Sequence, residues 1–382
     1  MNFGFTESQS AVKEEVRSFT REHVAPFADE FDLKQKISDE LIRRIGRLKY
    51  LGAILPKDYR GLNWDMVSYG ILNEEIGKGC SSVRSLFTVH GMCSYAIMRW
   101  GTDYQKEKWL PKLATGELIG AFALSEPDVG SDAKSIRTQA KVQGDDYVLN
   151  GKKKWITFGQ IADLFLVIAQ INEKPIALIV ENYRPGFSQE PITDLLGTRG
   201  SMLSTIFFKN CRIPGENLIG GPGFGFSAVA LSALDIGRFS VACGSVGIAQ
   251  ACCDASVLYA NERKQFGTTI SGNQLIRRLL ADMDTKTRAA RLLCFNAAYM
   301  IDSNSQKASK EIMRAKYFAG KIANDVARDA VQIHGANGCS REYPVERYFR
   351  DAKIMEIIEG ANQMLQIVLG KESLSKKTTF RL

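Results

Sequence analysis

Histidine is scarce. The chain of 382 residues has three, His23, His90 and His334, too few for a histidine-rich metal centre and few for a Ser-His-Asp triad. Its eight cysteines (Cys80, Cys93, Cys211, Cys243, Cys252, Cys253, Cys294 and Cys339) form no CxxC pair. Most sit in apolar, helix-like surroundings and read as reduced core fillers, which excludes a disulfide framework and a zinc site. No stretch reads as long and apolar enough to cross a bilayer, so no membrane partner is expected. The opening MNFGFTESQSAVKEEV is polar and acidic. It lacks the basic start and apolar core of a secretory signal, and a cytoplasmic location is the expectation. One-sided charge is missing too: 50 basic and 42 acidic residues give +8. The excess permits attraction to phosphates or an acidic partner but is too evenly spread for a nucleic-acid footprint. The basic end GKESLSKKTTFRL reads as a solvated tail.

What is present is an ordinary globular composition, 45% hydrophobic and 24% charged, in a chain long enough for two or three domains. The periodicity changes twice. Residues 1–119 read as helical: apolar positions recur at three and four in ESQSAVKEEVRSFTREH, Pro26 bends or ends that helix, and MVSYGILNEEIGKG forms another. From 120 to 228 the pattern is that of strands. YVLNGKKKWIT reads as a hairpin turning at Asn150-Gly151, and DLFLVIAQI, PIALIVE and TIFFKNCRI are strands. From 229 to 382 long helices return; one keeps Ile276, Leu279, Leu280, Met283, Ala290 and Leu293 on one face. Helices, strands, helices without alternation is an α+β order, not a doubly wound sheet.

Several short motifs carry groups suited to chemistry. ALSEPDVGSD offers the Ser125 hydroxyl and the Gly130-Ser131 amides, either to a ligand or as turn caps. KKKWITFG places Trp155 and Thr157 two apart, on one strand face, where an indole could cover a flat ring and a hydroxyl bond its edge. ERKQFG sets Arg263 near Phe266, with Gln274 beyond; an arginine there suits a pyrophosphate or is a solvated helix end. QIHGANG, from Gln332 through Gly335, allows close approach of backbone to a ligand. CSSVRSLFTVHGMCSYAIM reads as a buried helix, so Arg84 needs a carboxylate, of the protein or of a ligand.

MEIIEGANQM raises a sharper question, because Glu359 stands between Ile357-Ile358 and Gly360. The pair is either a helix C-cap or a base facing a ligand across a residue without a side chain.

LSEPDVGSD, KKKWIT, ERKQFG and QIHGANG, with GTDYQKEKWLPKLATGEL and YFRDAKIMEIIEG, resemble the acyl-CoA dehydrogenase family of flavoproteins over nearly the whole chain. Each is common; six in order at compatible spacing are specific. The resemblance implies an N-terminal helical domain, a middle β-barrel-like domain and a C-terminal four-helix-bundle domain. It implies FAD, held between the middle and C-terminal domains and across a subunit interface, hence a homodimer or homotetramer. Phe122, Leu124 and Ser125 would line the flavin, with Ser131 near the phosphates and Trp155 and Thr157 flanking the ring. Arg263, Phe266, Gln274, Gln332 and Gly335 would bind a neighbouring subunit's FAD, and Gln363 matches a further flavin contact. The chain departs at Ala361, where many relatives have threonine, and at Ala336, where they have a second glycine.

Glu359 matches the family's usual catalytic base, while the other known base position, before Arg238, is Gly237. This favours a base over a cap. The two isoleucines are expected to raise its pKa by desolvation. In the family the base removes a proton α to a thioester, hydride leaves the adjacent carbon for the flavin, and the base's own amide helps hold the oxyanion.

A finer likeness of CSSVRS, GRFSVACGSVGI and YFRDAKIMEIIEG is to a branch serving polyketide and antibiotic assembly. It implies a short polar acyl group on an acyl-carrier protein, of hydroxymalonyl or aminomalonyl type, with Arg84 and Ser85 lining the acyl cavity and Arg238 and Gly360 beside the substrate. The alternatives are a short-chain acyl-CoA dehydrogenase forming a 2,3-enoyl thioester and a flavin-free acyl-binding or scaffold protein. The electron acceptor, flavoprotein or oxygen, is left open.

Overall fold

The structure is a computed structural model that describes residues 4–375; the last part of the basic tail lies outside the described residues. Six helices come first: α1 (Glu7–His23), α2 (Ala28–Lys34), α3 (Asp39–Arg47), α4 (Met66–Gly79), α5 (Ser81–Trp100) and α6 (Asp103–Thr115). Eight strands follow: β1 (Gly120–Ala123), β2 (Gln139–Gln143), β3 (Asp146–Ile156), β4 (Leu164–Ile171), β5 (Lys174–Glu181), β6 (Phe187–Pro191), β7 (Ser204–Pro214) and β8 (Leu218–Ile219). Then come α7 (Leu231–Glu262), a small hairpin of β9 (Lys264–Gln265) and β10 (Thr268–Thr269), α8 (Gln274–Asp302), α9 (Ala308–His334), α10 (Val345–Met355) and α11 (Asn362–Ser375). Pro26 does end α1, opening a single tight turn before α2.

Two compact units divide the chain. Among the described residues, one holds Ser18–Tyr69 and Cys80–Gly237; the other holds residues 4–17, Gly70–Gly79 and 238–375. In the first, the sheet runs β6-β7-β3-β2-β4-β5-β8, with β1 parallel to β4. Alternate residues of β4 and β5 enter two cores. Leu164, Leu166, Ile168, Ala177 and Ile179 pack with Met92, Ile97 and Trp109. Phe165, Val167, Leu178 and Val180 pack with Ile206 and Phe208. A strand covered on both faces is apolar throughout, which is how DLFLVIAQI reads. In the second unit α7, α8, α9 and α10 share a core that includes Val241, Ile248, Met283, Val326 and Met355.

Two expectations are corrected. Asn150-Gly151 is not a hairpin turn. β3 runs straight through it, and Gly151 (φ +145°) sits at a bulge against β7, where a Cβ would lie 2.8 Å from the Cα of Thr138. The true turn is Gly144-Asp145, between the paired residues Gln143 and Asp146. The membrane expectation also fails as stated. The helix Gly225–Glu262 has a window of mean hydropathy 1.5 and is long and apolar enough to cross a bilayer; 72% of that window is buried within the fold. A helix surrounded by protein is apolar on all sides, and this one reads as a core helix.

His90 shows how burial sets a protonation state. Its Nδ1 accepts from the Gly120 amide and its Nε2 faces the Leu113 carbonyl, each at 3.1 Å, so the neutral ring carries its proton on Nε2. Burial drives its pKa down to about 4, against a smaller upward pull from the Leu113 carbonyl. A base whose folded pKa lies below its unfolded value stabilises the fold above the unfolded value, and that contribution is lost as pH falls. Stability should therefore fall from about pH 6.5 toward pH 4, by about 3 kcal/mol from this group. Urea titrations at several pH values check it: His90→Gln should show a shallower acid slope than the wild type.

Candidate active site

The loop after β1 belongs to the first unit. Phe122 and Leu124 are buried in its core. The Ser125 carbonyl accepts from the Lys154 amide at 2.9 Å, which ties the loop to the end of β3. Glu126 turns inward, accepting from the amides of Arg137 (2.6 Å) and Thr138 (2.9 Å), from the Thr138 hydroxyl (2.7 Å) and from Lys153 Nζ (2.8 Å). Lys153 also donates to the Leu124 carbonyl at 2.9 Å. Burial alone would raise the Glu126 pKa, but the charge of Lys153 and these hydrogen bonds hold the carboxyl below its usual range. Burial lowers Lys153 to about 8 despite Glu126. Both are ionised at neutral pH and the loop is built around their pair. Removing one partner strands the other's charge: Lys153→Met should cost about 3–5 kcal/mol and loosen the loop. Denaturant unfolding and the flavin retained after gel filtration check this.

Ser131 and Gly130 are exposed at the loop's outer end. Trp155 is not placed as expected. The ladder with β7 shifts register between Lys153 and Ile156, and Trp155 adopts φ +65°, so the two-residue alternation with Thr157 breaks. The indole is 49% exposed with Lys154 Nζ 4.7 Å from its ring, an aromatic face turned outward by strained backbone. Thr157 lies just past the strand and is half-buried.

Arg84 lies on α5 with no exposed surface. It donates to Thr88 Oγ1 at 2.7 Å and to Ser81 Oγ at 3.4 Å, hydroxyls of its own helix. Ser85 is buried, its hydroxyl donating back to the Ser81 carbonyl at 3.0 Å.

Glu359 lies in the second unit, and the helix-cap reading is wrong there. α10 stops at Met355 with Glu356 as its cap. Glu359 falls three residues beyond, in a turn at φ +54°, and Gly360 follows at φ +98°. A glutamate in the left-handed region is uncommon and marks a position held by its surroundings. Arg238 Nε donates to the Glu359 carbonyl at 3.1 Å. Lys316 Nζ donates to the Gly360 carbonyl at 2.7 Å and to Asn362 Oδ1 at 3.1 Å. The isoleucine wall is half present: Ile358 packs on the helical core, whereas Ile357 is 55% exposed.

In the same unit Arg263, Phe266, Gln274, Gln332, Gly335 and Gln363 are all exposed. Phe266 projects entirely into solvent at the tip between β9 and β10. Arg263 has no carboxylate partner among the described residues. Exposed amides, a guanidinium and bare aromatic faces are the donor set that a flat cofactor with a diphosphate needs.

Sequence reasoning missed Lys153, Lys316 and Asn362. Lys316 left a signal: it stands at the i+4 position from Ile312 and before Gly320, on the buried stripe of α9.

Three family models cover the chain: the acyl-CoA dehydrogenase N-terminal domain at 6–117, the middle domain at 121–211 and the C-terminal domain at 223–374. A probable acyl-CoA dehydrogenase of Bacillus subtilis is 39% identical, over 98% of this chain and 100% of its own. The short-chain specific acyl-CoA dehydrogenase of Clostridium acetobutylicum is 37% identical over 97% and 98%. The solved butyryl-CoA dehydrogenase of Megasphaera elsdenii is 35% identical, with a TM-score of 0.94 over 98% of this chain and 100% of that one. A glutaryl-CoA dehydrogenase of Mycobacterium smegmatis, solved with FADH2, is 30% identical with a TM-score of 0.93 over 99% and 97%. Two further solved proteins are more distant in sequence. FkbI, for a methoxymalonyl extender unit, is 29% identical (TM-score 0.88, 96% and 99%), and the prolyl acyl carrier protein oxidase AnaB is 25% identical (TM-score 0.92, 98% and 100%).

This chain belongs to the acyl-CoA dehydrogenase family. It has that fold, helical then β then helical; it is an oxidoreductase of acyl thioesters, and its cofactor is FAD.

Proposed function

We propose that the chain dehydrogenates a short acyl-CoA to its 2,3-enoyl thioester. The observation that carries this reading is Glu359, a carboxylate on a left-handed turn held by Arg238 and Lys316 through backbone carbonyls. The short-chain and butyryl-CoA relatives support the substrate class. Glu359 takes the proton α to the thioester, and its amide helps hold the developing oxyanion. The flavin supplies the hydride acceptor when bound. Phe122, Leu124, Ser125, Ser131, Trp155 and Thr157 would hold it, with Gln363 as a further contact; Arg263, Phe266, Gln274, Gln332 and Gly335 would bind the FAD of a neighbouring subunit in a homodimer or homotetramer. A cytoplasmic location goes with this reading.

A second reading has one observation in its favour. Arg84 is a fully buried guanidinium on α5, and a cation there suits an acyl group with a polar or anionic end. Such a group on an acyl-carrier protein, with a basic surface meeting an acidic carrier, is the chemistry of extender-unit assembly, and the resemblance to FkbI and AnaB leans the same way.

Incubation with a series of straight-chain acyl-CoAs and an artificial electron acceptor, read by mass spectrometry, tests the proposal. It expects loss of two hydrogens, best with the shortest chains. Turnover of none of them would overturn it.

A further inference from the structure

Lys316 is fully buried on α9, between α10 and α11. A lysine there is costly to keep, since its charge has left water. Two hydrogen bonds tie it to one short segment. Nζ meets the Gly360 carbonyl at 2.7 Å and Asn362 Oδ1 at 3.1 Å. Asn362 is itself pinned, its amide donating to the Glu356 carbonyl at 2.9 Å and its side chain to the Tyr317 carbonyl at 3.4 Å. α10 lies so close to α9 that a Cβ on Gly320 would stand 2.9 Å from the Met355 carbonyl. The segment from Met355 to Asn362 is thus held at both ends, with Glu359 in its middle.

We propose that Lys316 is a positioning residue for the base: its ammonium locks the left-handed Glu359-Gly360 turn and, as a nearby cation, lowers the proton affinity of the Glu359 carboxylate. This rests on Glu359 being the base. The charges that face Lys316 are Glu359, Glu356 and Arg238. Glu356 is also engaged by Lys353 at 2.6 Å and by Asn324 at 3.4 Å, which leaves it less able to neutralise Lys316. Burial drives the Lys316 pKa down to about 7, with Glu359 pulling it up and Arg238 pushing it down.

Two variants separate geometry from charge. Lys316→Gln keeps a donor for the Gly360 carbonyl without the charge, and Lys316→Met removes both. The Glu359 carboxyl is titrated by NMR on carboxyl-labelled glutamate, assigned by difference from Glu359→Gln. Anaerobic flavin reduction by saturating butyryl-CoA is followed across the same pH range. Both variants should raise the Glu359 midpoint by about one pH unit. Lys316→Met should reduce flavin about tenfold more slowly at pH 7 with KM nearly unchanged, and Lys316→Gln should recover most of that rate. Wild-type midpoints and rates in both variants would overturn the inference, as would an effect on thermal stability alone. Should Lys316→Met not fold, Asn362→Ala, which frees the lysine on one side, must slow reduction with FAD content intact. If Glu359→Gln itself reduces flavin normally, the assignment of the base has failed; the NMR midpoints still show separately whether Lys316 tunes that carboxyl.

Discussion

Glu359→Gln keeps FAD bound and slows anaerobic flavin reduction by an acyl thioester by about 10²–10⁴-fold, the usual worth of a general base. Glutamine has the same shape and fits the same turn. Arg238 and Lys316 donate to the backbone carbonyls of Glu359 and Gly360, and these contacts persist in the variant. What disappears is the proton acceptor. Gly237 stands at the other position where relatives carry a base, so no second carboxylate takes over. Absorbance of the bound flavin after mixing reads the rate, and flavin content after gel filtration shows that the site is intact. Reduction at the wild-type rate would remove Glu359 from the chemistry.

Arg84→Met divides the two substrate readings. Methionine is flexible and apolar and can fill the space of a buried arginine stem. If Arg84 pairs with an anionic or strongly polar acyl end, its loss costs about 1.5–3 kcal/mol, roughly 10- to 150-fold in kcat/KM, for that substrate alone. Butyryl-CoA, which has no such end, should lose little. Paired kcat/KM values for butyryl-CoA and a carboxylate-bearing acyl thioester make the comparison. Equal losses would assign Arg84 to the structure of α5, where it already bonds Thr88 and Ser81.

Most of the fold was legible because its signals are local. The change of period from helix to strand and back is written in the spacing of apolar residues, and the helix face through Met283 and Ala290 is buried as read. Asn150-Gly151 misled for a physical reason: a glycine with positive φ serves a bulge as well as a turn, and only pairing with β7 distinguishes them. Trp155 misled for the same cause, since one irregular residue breaks alternation. At the site, Glu359 was legible through its motif, but the reason it works was not. Arg238 lies 121 residues from it in sequence and Lys316 lies 44 from Gly360. Contacts between helices so far apart leave little trace in spacing, beyond the oddity of a lysine on a buried stripe. Half of the expected isoleucine wall is missing because the turn sends Ile357 to solvent while Ile358 packs on the core.

The most direct test of the central claim is anaerobic reduction of the bound flavin by butyryl-CoA, run beside a 2-hydroxy- or 2-amino-3-oxopropionyl group loaded on an acyl-carrier protein. A short-chain acyl-CoA dehydrogenase bleaches with butyryl-CoA and yields the 2,3-enoyl thioester. Bleaching with the carrier-bound group alone, and none with butyryl-CoA, would contradict that account and make the chain a carrier-dependent enzyme of extender-unit assembly.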